Sequence, residues 1–447
     1  MKTEKKTILK RMTALMLAAM MSVSVLAGCD SDKKQNDNNK QVEDGGNSSV
    51  MPAPIDDPEK GTGDDMVHLF KTVTTLSGNE YATTADALKA FSYDLFKQTV
   101  SDENPVVSPL SAYLALAMAG AGADGDTKEE FDKIFGKDFL SVAKYLYETY
   151  NVNTDNLKVS TANAAWLSNK IKTEKDWKDA LNKYFNAEVS EEDLTKAKVV
   201  KDINKWVNKN TNGLIEKMVD DPFSEFVRFV LFNAIYFKGQ WVNEFDEAGT
   251  YEQEFKKDGK VSYVDMMHLY GETFSYIAND DCTGAILPYK DGDLAMIALK
   301  PNSGTSARDL LSKVDSAYIN EILTNRRFET LNLALPKFEL GFERVLNDDL
   351  RAVGFDKIFT GAADFSKASK DEDFYISLVK QKAKIIVDEK GTEAAAVTEV
   401  IMECTSAAPA TEPIEMFFDE PFVYMIIDTD NQVPLFMGIL DDPNAAK

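Results

Sequence analysis

Apolar positions in the first part of the chain recur with helical spacing. Within residues 88–96 they lie three and four residues apart, which indicates an amphipathic helix. Ser108 followed by Pro109 and a run rich in Ala, Leu and Met predicts a second helix, with serine as its cap and proline in its first turn. Thr127 and Glu130 then have the spacing of a capping box and predict the start of a third helix.

Later segments carry the pattern of strands. Residues 229–237 are almost all apolar, interrupted only by Asn233, which is typical of a central strand buried on both faces. Residues 331–335 and 383–387 alternate between apolar and other residues with period two. Because helices dominate early, strands dominate late and no repeat is present, the pattern predicts one α+β domain over residues 83–447.

The N-terminal segment has a different composition from the predicted domain. Residues 1–29 begin with basic residues, continue with an apolar run too short to span a membrane, and end in Leu-Ala-Gly before Cys29. This is the pattern of a secretory signal, and its end resembles a bacterial lipobox, in which the cysteine is lipidated. An ordinary cleaved signal with a cysteine there by chance remains the alternative. Residues 30 to about 63 have hardly any apolar residues and predict a flexible tether, which extends to residue 82, so we expect an extracellular domain anchored to the bacterial membrane by lipid.

The charge of the chain indicates which partners to expect, and its cysteine content indicates how the domain is stabilised. The 447 residues include 74 acidic and 50 basic ones, a net charge of −24, and no basic block follows the first dozen residues. A nucleic-acid partner is therefore not expected, and the acidity serves solubility or attraction to basic partners. Besides Cys29 only Cys282 and Cys404 are present, and we expect both to be free thiols in a domain stabilised by its core.

The sequence lacks the motifs of the common enzyme classes. It has only two histidines, no nucleophile elbow, no zinc-protease motif, no phosphate loop and no dinucleotide fingerprint. We therefore expect no catalytic residues, no metal site and no cofactor. A hydrolase that uses a pair of carboxylates stays open, because nothing singles out one pair among the many acidic residues.

One segment near the C-terminus combines a strand pattern with a loop pattern. Between Thr392 and Glu403 small or apolar residues alternate with a second set that carries every charge. Residues 406–413 are rich in Ala and Pro and indicate an exposed loop. The combination suits a segment that lies outside a sheet in one state and inside it in another, although an edge strand followed by a long turn is the alternative.

These features resemble the serpin family of serine protease inhibitors. Residues 388–398, with the sequence DEKGTEAAAVT, are similar to the hinge of the serpin reactive-centre loop. Further serpin-like segments follow in the family's order over nearly the whole domain: NPVVSPLS at 104–111, INKWV at 203–207, TNGLI at 211–215, NAIYFKGQW at 233–241, LPY at 287–289, LPKF at 335–338, ADFS at 363–366 and LFMG at 435–438.

The resemblance implies a fold and a mechanism. Serpins have three β-sheets, surrounding helices and an exposed reactive-centre loop, which corresponds here to about residues 389–415. A protease that cleaves the loop is trapped as an acyl-enzyme while the loop inserts into a sheet as a new strand. The implied hinge consists of Gly391, Thr392, Glu393, Ala394, Ala395, Ala396, Val397 and Thr398. Residues that insertion buries must be small or uncharged, which Thr392, Ala394, Ala396 and Thr398 satisfy. The implied gate, or shutter, that controls insertion consists of Ser108, Ser111, Asn233 and Gln381.

The resemblance also suggests the class of protease. Counting along the loop from Glu389 places the attacked bond near Thr405-Ser406. No Lys or Arg occurs between residues 391 and 420, which disfavours trypsin-like enzymes and favours elastase-like or chymotrypsin-like ones. We therefore expect a monomeric inhibitor of extracellular serine proteases, with cysteine proteases as possible secondary targets.

Two other functions stay open, a non-inhibitory serpin that acts as a surface binding protein and a lipoprotein of the solute-binding class.

One departure from the family pattern concerns the gate, because Gln381 stands where family members usually have a His. Glutamine can donate and accept, so we expect a contact with Ser108 or Asn233 without a group that titrates.

Overall fold

A computed structural model describes residues 84–100, 103–371, 373–392 and 412–445. Several predicted positions lie outside the described residues: Cys29, Glu393, Ala394, Ala395, Ala396, Val397, Thr398, Cys404, Thr405 and Ser406. The described residues carry the helices, the sheets and the start of the predicted hinge.

Nine α-helices occur in the described part of the chain. In order they are α1 Thr84–Gln98, α2 Pro109–Gly120, α3 Gly125–Phe135, α4 Phe139–Thr149, α5 Lys175–Phe185, α6 Ala197–Asn210, α7 Ala307–Lys313, α8 Ser316–Asn325 and α9 Asn347–Val353. Helices α1 and α2 confirm the predictions from apolar spacing and from the Ser108-Pro109 start. Ser108 caps α2 with its hydroxyl, which accepts a hydrogen bond from the backbone N–H of Ser111.

The start of helix α3 differs from the prediction. The helix begins at Gly125 rather than after Thr127, and both predicted capping side chains bond elsewhere. The Thr127 hydroxyl accepts from the backbone N–H of Asp364, and the Glu130 carboxylate accepts from backbone N–H groups of residues 356–358. Thr127 and Glu130 therefore tie helix α3 to residues 356–364 of the same chain. The backbone N–H groups of that segment compete with those at the start of the helix for the two side-chain acceptors.

Sixteen β-strands occur in the described part. They are β1 Val106–Val107, β2 Val152–Asn153, β3 Leu157–Ser168, β4 Glu188–Glu192, β5 Phe229–Gln240, β6 Tyr251–Lys257, β7 Lys260–Ala278, β8 Cys282–Pro288, β9 Leu294–Pro301, β10 Arg327–Pro336, β11 Phe338–Val345, β12 Lys380–Asp388, β13 Gly391–Thr392, β14 Ile414–Phe417, β15 Phe422–Asp428 and β16 Val433–Leu440.

The seven-stranded sheet has the order β11-β12-β13-β5-β3-β2, with β4 parallel to β3 at the side. Strand β5 pairs with β3 in antiparallel register along most of its length and confirms the predicted central strand. Strand β12 pairs with β11, and its alternating burial confirms the period-two pattern of residues 383–387. Helix α2 contributes a buried face against strand β5.

The other described strands form one nine-stranded network in the order β1-β16-β15-β9-β8-β7-β10-β14, with β6 beside β7. The resemblance implies three sheets, whereas the hydrogen bonds here join two of them into one network. The reason is the length of β7, which pairs with β6 through residues 260–266, with β10 through residues 266–276 and with β8 through residues 275–278. An irregularity in its pairing with β10 lies between Leu331 and Asn332, next to Gly271 with φ +71°.

The main core lies between the two sheets and helices α1 to α5. Its aromatic centre includes Phe91, Phe131, Phe135 and Phe355, with ring centroids 4.9 Å apart for Phe91–Phe135 and 5.2 Å apart for Phe131–Phe355. Such edge and tilted contacts add to the free energy of burying the rings. Cys282 is a buried free thiol, as predicted for that residue, so this core forms without a disulfide at Cys282.

Candidate functional site

The first two residues of the predicted hinge form a short strand inside the seven-stranded sheet. Gly391 and Thr392 of β13 lie between β5 and β12 and pair with both in antiparallel register. On one side Thr392 faces Val387, and on the other it faces Gly239. The chain that leads to the predicted reactive loop therefore begins within the sheet.

A glycine is required at position 391 because two backbones approach closely there. A Cβ atom on Gly391 would overlap the carbonyl oxygen of Gly239 on β5. A backbone oxygen cannot move aside as the end of a flexible side chain can, so any larger residue separates β13 from β5. The resemblance named Gly391 as a hinge residue, and the structure supplies this steric reason.

Thr392 is held by a buried aromatic pair. It is 2% exposed, and its hydroxyl lies 2.6 Å from the Tyr289 hydroxyl. The Tyr289 ring stacks on Trp241 at 4.5 Å between centroids, and Trp241 donates from Nε1 to the Asp388 carbonyl at 3.0 Å. Burial raises the pKa of Tyr289 well above its ordinary value, so the phenol stays neutral.

The turn that leads into β13 is fixed by a nearly buried carboxylate. Glu389 accepts hydrogen bonds from Lys337 Nζ at 2.8 Å and from the Thr250 hydroxyl at 2.9 Å. Its backbone carbonyl accepts from Phe245 N–H at 2.8 Å. Burial disfavours the charged form of Glu389, but the hydrogen bonds from Lys337 and Thr250 outweigh it and lower the pKa of the carboxyl.

The neighbouring carboxyl behaves in the opposite way. Asp388 accepts from the backbone N–H groups of Lys390 and Gly391, which closes the turn between β12 and β13. Burial raises the pKa of Asp388 although these bonds favour its charged form. The turn thus contains two adjacent carboxyl groups with opposite pKa shifts, and only Glu389 has a lysine as a hydrogen-bonded partner.

Two of the predicted gate residues are in direct contact. Gln381 Nε2 donates to the Ser108 carbonyl at 2.9 Å, and Gln381 Oε1 accepts from the Ser108 N–H at 3.0 Å. The Ser108 hydroxyl donates to the Leu435 carbonyl at 2.7 Å. Gln381 therefore joins β12 to the start of helix α2 through both of its amide atoms, which is the contact with Ser108 that the sequence allowed.

Asn233 belongs to a second hydrogen-bonded pair. Its Nδ2 donates to Asn163 Oδ1 at 2.9 Å, and Asn163 Nδ2 donates to the Phe185 carbonyl at 2.8 Å. The Oδ1 atom of Asn233 is buried and has no hydrogen-bond partner among the described residues. Asn163 was not identified from the sequence, although a polar residue in the middle of a buried strand could have indicated it.

Beyond Thr392, the described residues contain no pairing across the space between strands β5 and β12, whose facing edges span residues 229–238 and 380–386. We call this space the sheet gap. At its far end is a cavity of about 200 Å³, to which Ser111, Asn233 and Gln381 all contribute. Three of the four predicted gate residues thus line one cavity, and Ser108 contacts it through Gln381.

The described residues contain no group of three or more His, Cys, Asp or Glu side chains placed to hold a metal ion. Within the same residues, no helix combines the length and the apolar composition that crossing a membrane requires.

Comparisons with known proteins agree with this geometry. The family model described as Serpin (serine protease inhibitor) matches residues 86–443. Iripin-8 of Ixodes ricinus is 34% identical over 364 residues, covering 77% of this chain and 90% of that protein. An uncharacterized serpin-like protein of Thermococcus kodakarensis is 30% identical over 403 residues, covering 88% and 94%. The crystal structure of tengpin, a thermophilic serpin in the native state, superposes with a TM-score of 0.73 at 29% identity, covering 84% of this chain and 98% of that one.

Proposed function

The chain belongs to the serpin family, and from this premise we propose that it is a suicide inhibitor of extracellular serine proteases with elastase-like or chymotrypsin-like preference. Serpins are in general protease inhibitors rather than enzymes. The observation that carries the proposal is the seating of Gly391 and Thr392 between β5 and β12, at the top of a sheet gap that a further strand can fill.

The pairing of β13 supports a specific register for insertion. Each step of two residues beyond Thr392 moves two residues back along both neighbouring strands. Residue 394 would then face Ile385 and Phe237, and residue 398 would face Gln381 and Asn233. Opposite residues in an antiparallel pair share a face of the sheet. Since positions 381, 383, 385 and 387 of β12 are buried, residues 394, 396 and 398 would be buried too.

The sequence of the loop suits this register. The residues that would be buried are Ala394, Ala396 and Thr398, all small and uncharged. The charged residues would lie on the other face, where Glu393 would be opposite Lys238 and Glu399 opposite Lys380. Burying an unpaired charge costs several kcal/mol, so the reverse arrangement would oppose insertion. The alternation therefore supports an inhibitory rather than a non-inhibitory role.

The chemistry of the trap would belong to the protease. Its serine oxygen attacks the Thr405 carbonyl, an ester forms, and the amine of Ser406 leaves with the proton supplied by the protease histidine. The loop, freed at its cleaved end, enters the sheet gap and carries the ester-linked enzyme with it. Each inserted residue brings two backbone groups into hydrogen bonds worth about 0.5–1.5 kcal/mol each, so several residues together release on the order of 10 kcal/mol.

The small residues around the proposed bond support the proposed class of target protease. Cys404, Thr405, Ser406 and Ala407 suit a shallow specificity pocket, and the absence of Lys and Arg from residues 391–420 argues against trypsin-like enzymes.

The decisive experiment mixes residues 83–447 with pancreatic elastase, neutrophil elastase, chymotrypsin and trypsin. We expect a complex that survives denaturing gels with the elastases or chymotrypsin, and a new N-terminus at Ser406. Cleavage without any complex would contradict inhibition and favour the surface binding protein.

We also propose that Cys29 is lipidated and that the domain is displayed outside the cell on a polar tether. The lipobox-like end of residues 1–29 and the composition of residues 30–82 support this. Metabolic labelling with an alkyne fatty acid should mark the full chain, and Cys29→Ser should abolish the label. A full chain that takes up no label, or a label that persists in the variant, would refute the anchor.

A further inference from the structure

One face of the nine-stranded network carries exposed aromatic side chains. On β10, Leu333 and Leu335 are buried, so the residues that alternate with them point away from the core. Tyr270 of β7 lies opposite one of these, Asn332, and is 59% exposed. Tyr251 of β6, which is 45% exposed, contacts Tyr270 from the neighbouring strand. Exposed aromatic side chains that touch one another are typical of protein–protein contact surfaces.

The two tyrosine rings are held in place by their neighbours on the sheet. Both are nearly parallel to the imidazole of His268, at 3° for Tyr251 and 11° for Tyr270, with ring centroids 4.3 and 5.7 Å away. The two phenol oxygens are 3.1 Å apart. His268 is itself fixed, because its Nδ1 donates to the Gly249 carbonyl at 3.0 Å. A ring that is already ordered loses little conformational freedom when a partner binds, so this stack suits a contact surface.

A carboxylate is fixed beside the stack. Glu415 of β14 lies in one row with Asn332 and Tyr270 across three adjacent strands. Asn332 Nδ2 donates to Glu415 Oε1 at 2.7 Å, and Asn332 Oδ1 accepts from the Gly271 N–H at 3.1 Å. The guanidinium of arginine stacks on aromatic rings and binds carboxylates through parallel hydrogen bonds. Tyrosine rings beside an oriented carboxylate therefore match an arginine side chain on a partner, and the net charge of −24 favours a basic one.

The position of this face in the fold indicates which partner reaches it. Strand β14 is the first described strand after the predicted reactive loop, and it begins at Ile414, eight positions beyond Ser406 of the proposed reactive bond. Eight residues span at most about 28 Å when fully extended, whereas a protease domain of about 200 residues is about 40 Å across. A protease bound at that bond therefore comes within reach of the face.

We propose that Tyr251, His268, Tyr270 and Glu415, here called the aromatic face, form a second contact for the target protease. An arginine of the protease stacks on the tyrosine rings and pairs with Glu415. The proposal rests on the inhibitory function proposed above. The contact forms while the protease is bound to the uncleaved loop, so it raises the rate of association and has no part in insertion. It thereby discriminates among proteases that accept the same small residues at the reactive bond.

The test measures the second-order rate constant of complex formation between the full chain and whichever of the four proteases named above reacts fastest. Tyr270→Ala should lower this rate constant about tenfold, as the loss of a central tyrosine does at other interfaces. Tyr263→Ala is the matched control and should leave the rate constant unchanged. Tyr263 is 57% exposed on the same strand, but it lies an odd number of residues from Tyr270 and so points to the other side of the sheet. Equal rate constants for the two variants would overturn the proposal.

A second readout separates a contact from damage to the fold. The ratio of trapped to cleaved protein should be the same for Tyr270→Ala as for the unmodified chain, because the contact acts before insertion. A variant that associates at the normal rate but traps less protease would overturn the proposal, since the aromatic face would then act on insertion.

A third readout tests the charge of Glu415. Glu415→Gln should lower the rate constant at low salt, and the difference from the unmodified chain should disappear at about 1 M salt, where the screening length is about 3 Å. A difference that is the same at both salt concentrations would overturn the pairing with arginine.

The remaining outcomes identify a different occupant or a different failure. A dimer of the unmodified chain in analytical ultracentrifugation that Tyr270→Ala dissociates would assign the aromatic face to a second copy and overturn the contact with the protease. If complexes form and Tyr270→Ala does not slow them, the second contact fails while the proposed inhibition stands. If none of the four proteases forms a complex, the proposed inhibition fails and the second contact fails with it.

Discussion

Replacing Gln381 by leucine isolates the contribution of the gate contact to the native state. The side chain of Gln381 satisfies both the N–H and the C=O of Ser108, at 3.0 and 2.9 Å, and both residues are buried. Leucine has similar volume but neither donor nor acceptor. The substitution therefore leaves the Ser108 N–H without a partner in the interior, whereas the Ser108 C=O keeps the hydrogen bond that it accepts from the Ala112 N–H at 3.1 Å.

The expected loss follows from the cost of such groups. A buried backbone group left unsatisfied costs about 1–3 kcal/mol, and the added apolar surface of leucine recovers part of this. We expect the free energy of unfolding to fall by about 1–2 kcal/mol, since one backbone group loses its partner. Urea unfolding, monitored by circular dichroism, measures this free energy. Equal slopes m for the variant and the unmodified protein would show that the denatured state is unchanged.

Two further variants make the reasoning refutable. Gln253→Leu, at a half-buried position of β6 in the other sheet, should change the free energy by less than about 0.5 kcal/mol. Gln381→Glu should depend on pH, because only the protonated carboxyl can donate to the Ser108 carbonyl. Burial raises its folded pKa, so its stability is present at low pH and is lost as the pH rises. A Gln381→Leu loss below about 0.5 kcal/mol, or a Gln381→Glu variant without pH dependence, would refute the account.

Three predictions concern the start of the loop. Thr392→Arg places a charge at a position 2% exposed, so it should convert the inhibitor into a substrate, whereas Thr392→Ser should still form complexes; complexes that persist in the arginine variant would contradict the proposed insertion. Gly391→Ala should separate β13 from β5 and change the fluorescence of the neighbouring tryptophan, while Gly341→Ala, which has open space, should not; equal spectra would contradict the close packing. The pKa of Glu389 is lowered in the fold, so the stability it contributes is present above its unfolded pKa and is lost as the pH falls through the folded value. Urea unfolding below pH 5 should show this loss, Lys337→Met should make it smaller, and an unchanged pH profile would exclude the ion pair as its cause.

The sequence by itself determined the local elements and the family. The Ser108-Pro109 start was sufficient to place helix α2, because a cap and a proline in the first turn act within a few residues. The apolar run of residues 229–237 and the alternation of residues 383–387 likewise identified β5 and β12. The order of short motifs indicated the serpin family, to which the chain belongs.

Only the tertiary structure decided which groups meet across the chain. Ser108 and Gln381 are 273 positions apart, and Glu389 is 52 positions from Lys337 and 139 from Thr250, so no local pattern contains these contacts. Thr127 and Glu130 had the spacing of a helix cap, but donors on a distant segment took their side chains. The orphaned acceptor of Asn233 is likewise a property of packing, because the partner of its amide, Asn163, lies on another strand and is fixed by a third segment. Local sequence sets what each segment can form, whereas hydrogen-bond competition in the packed interior selects the partners.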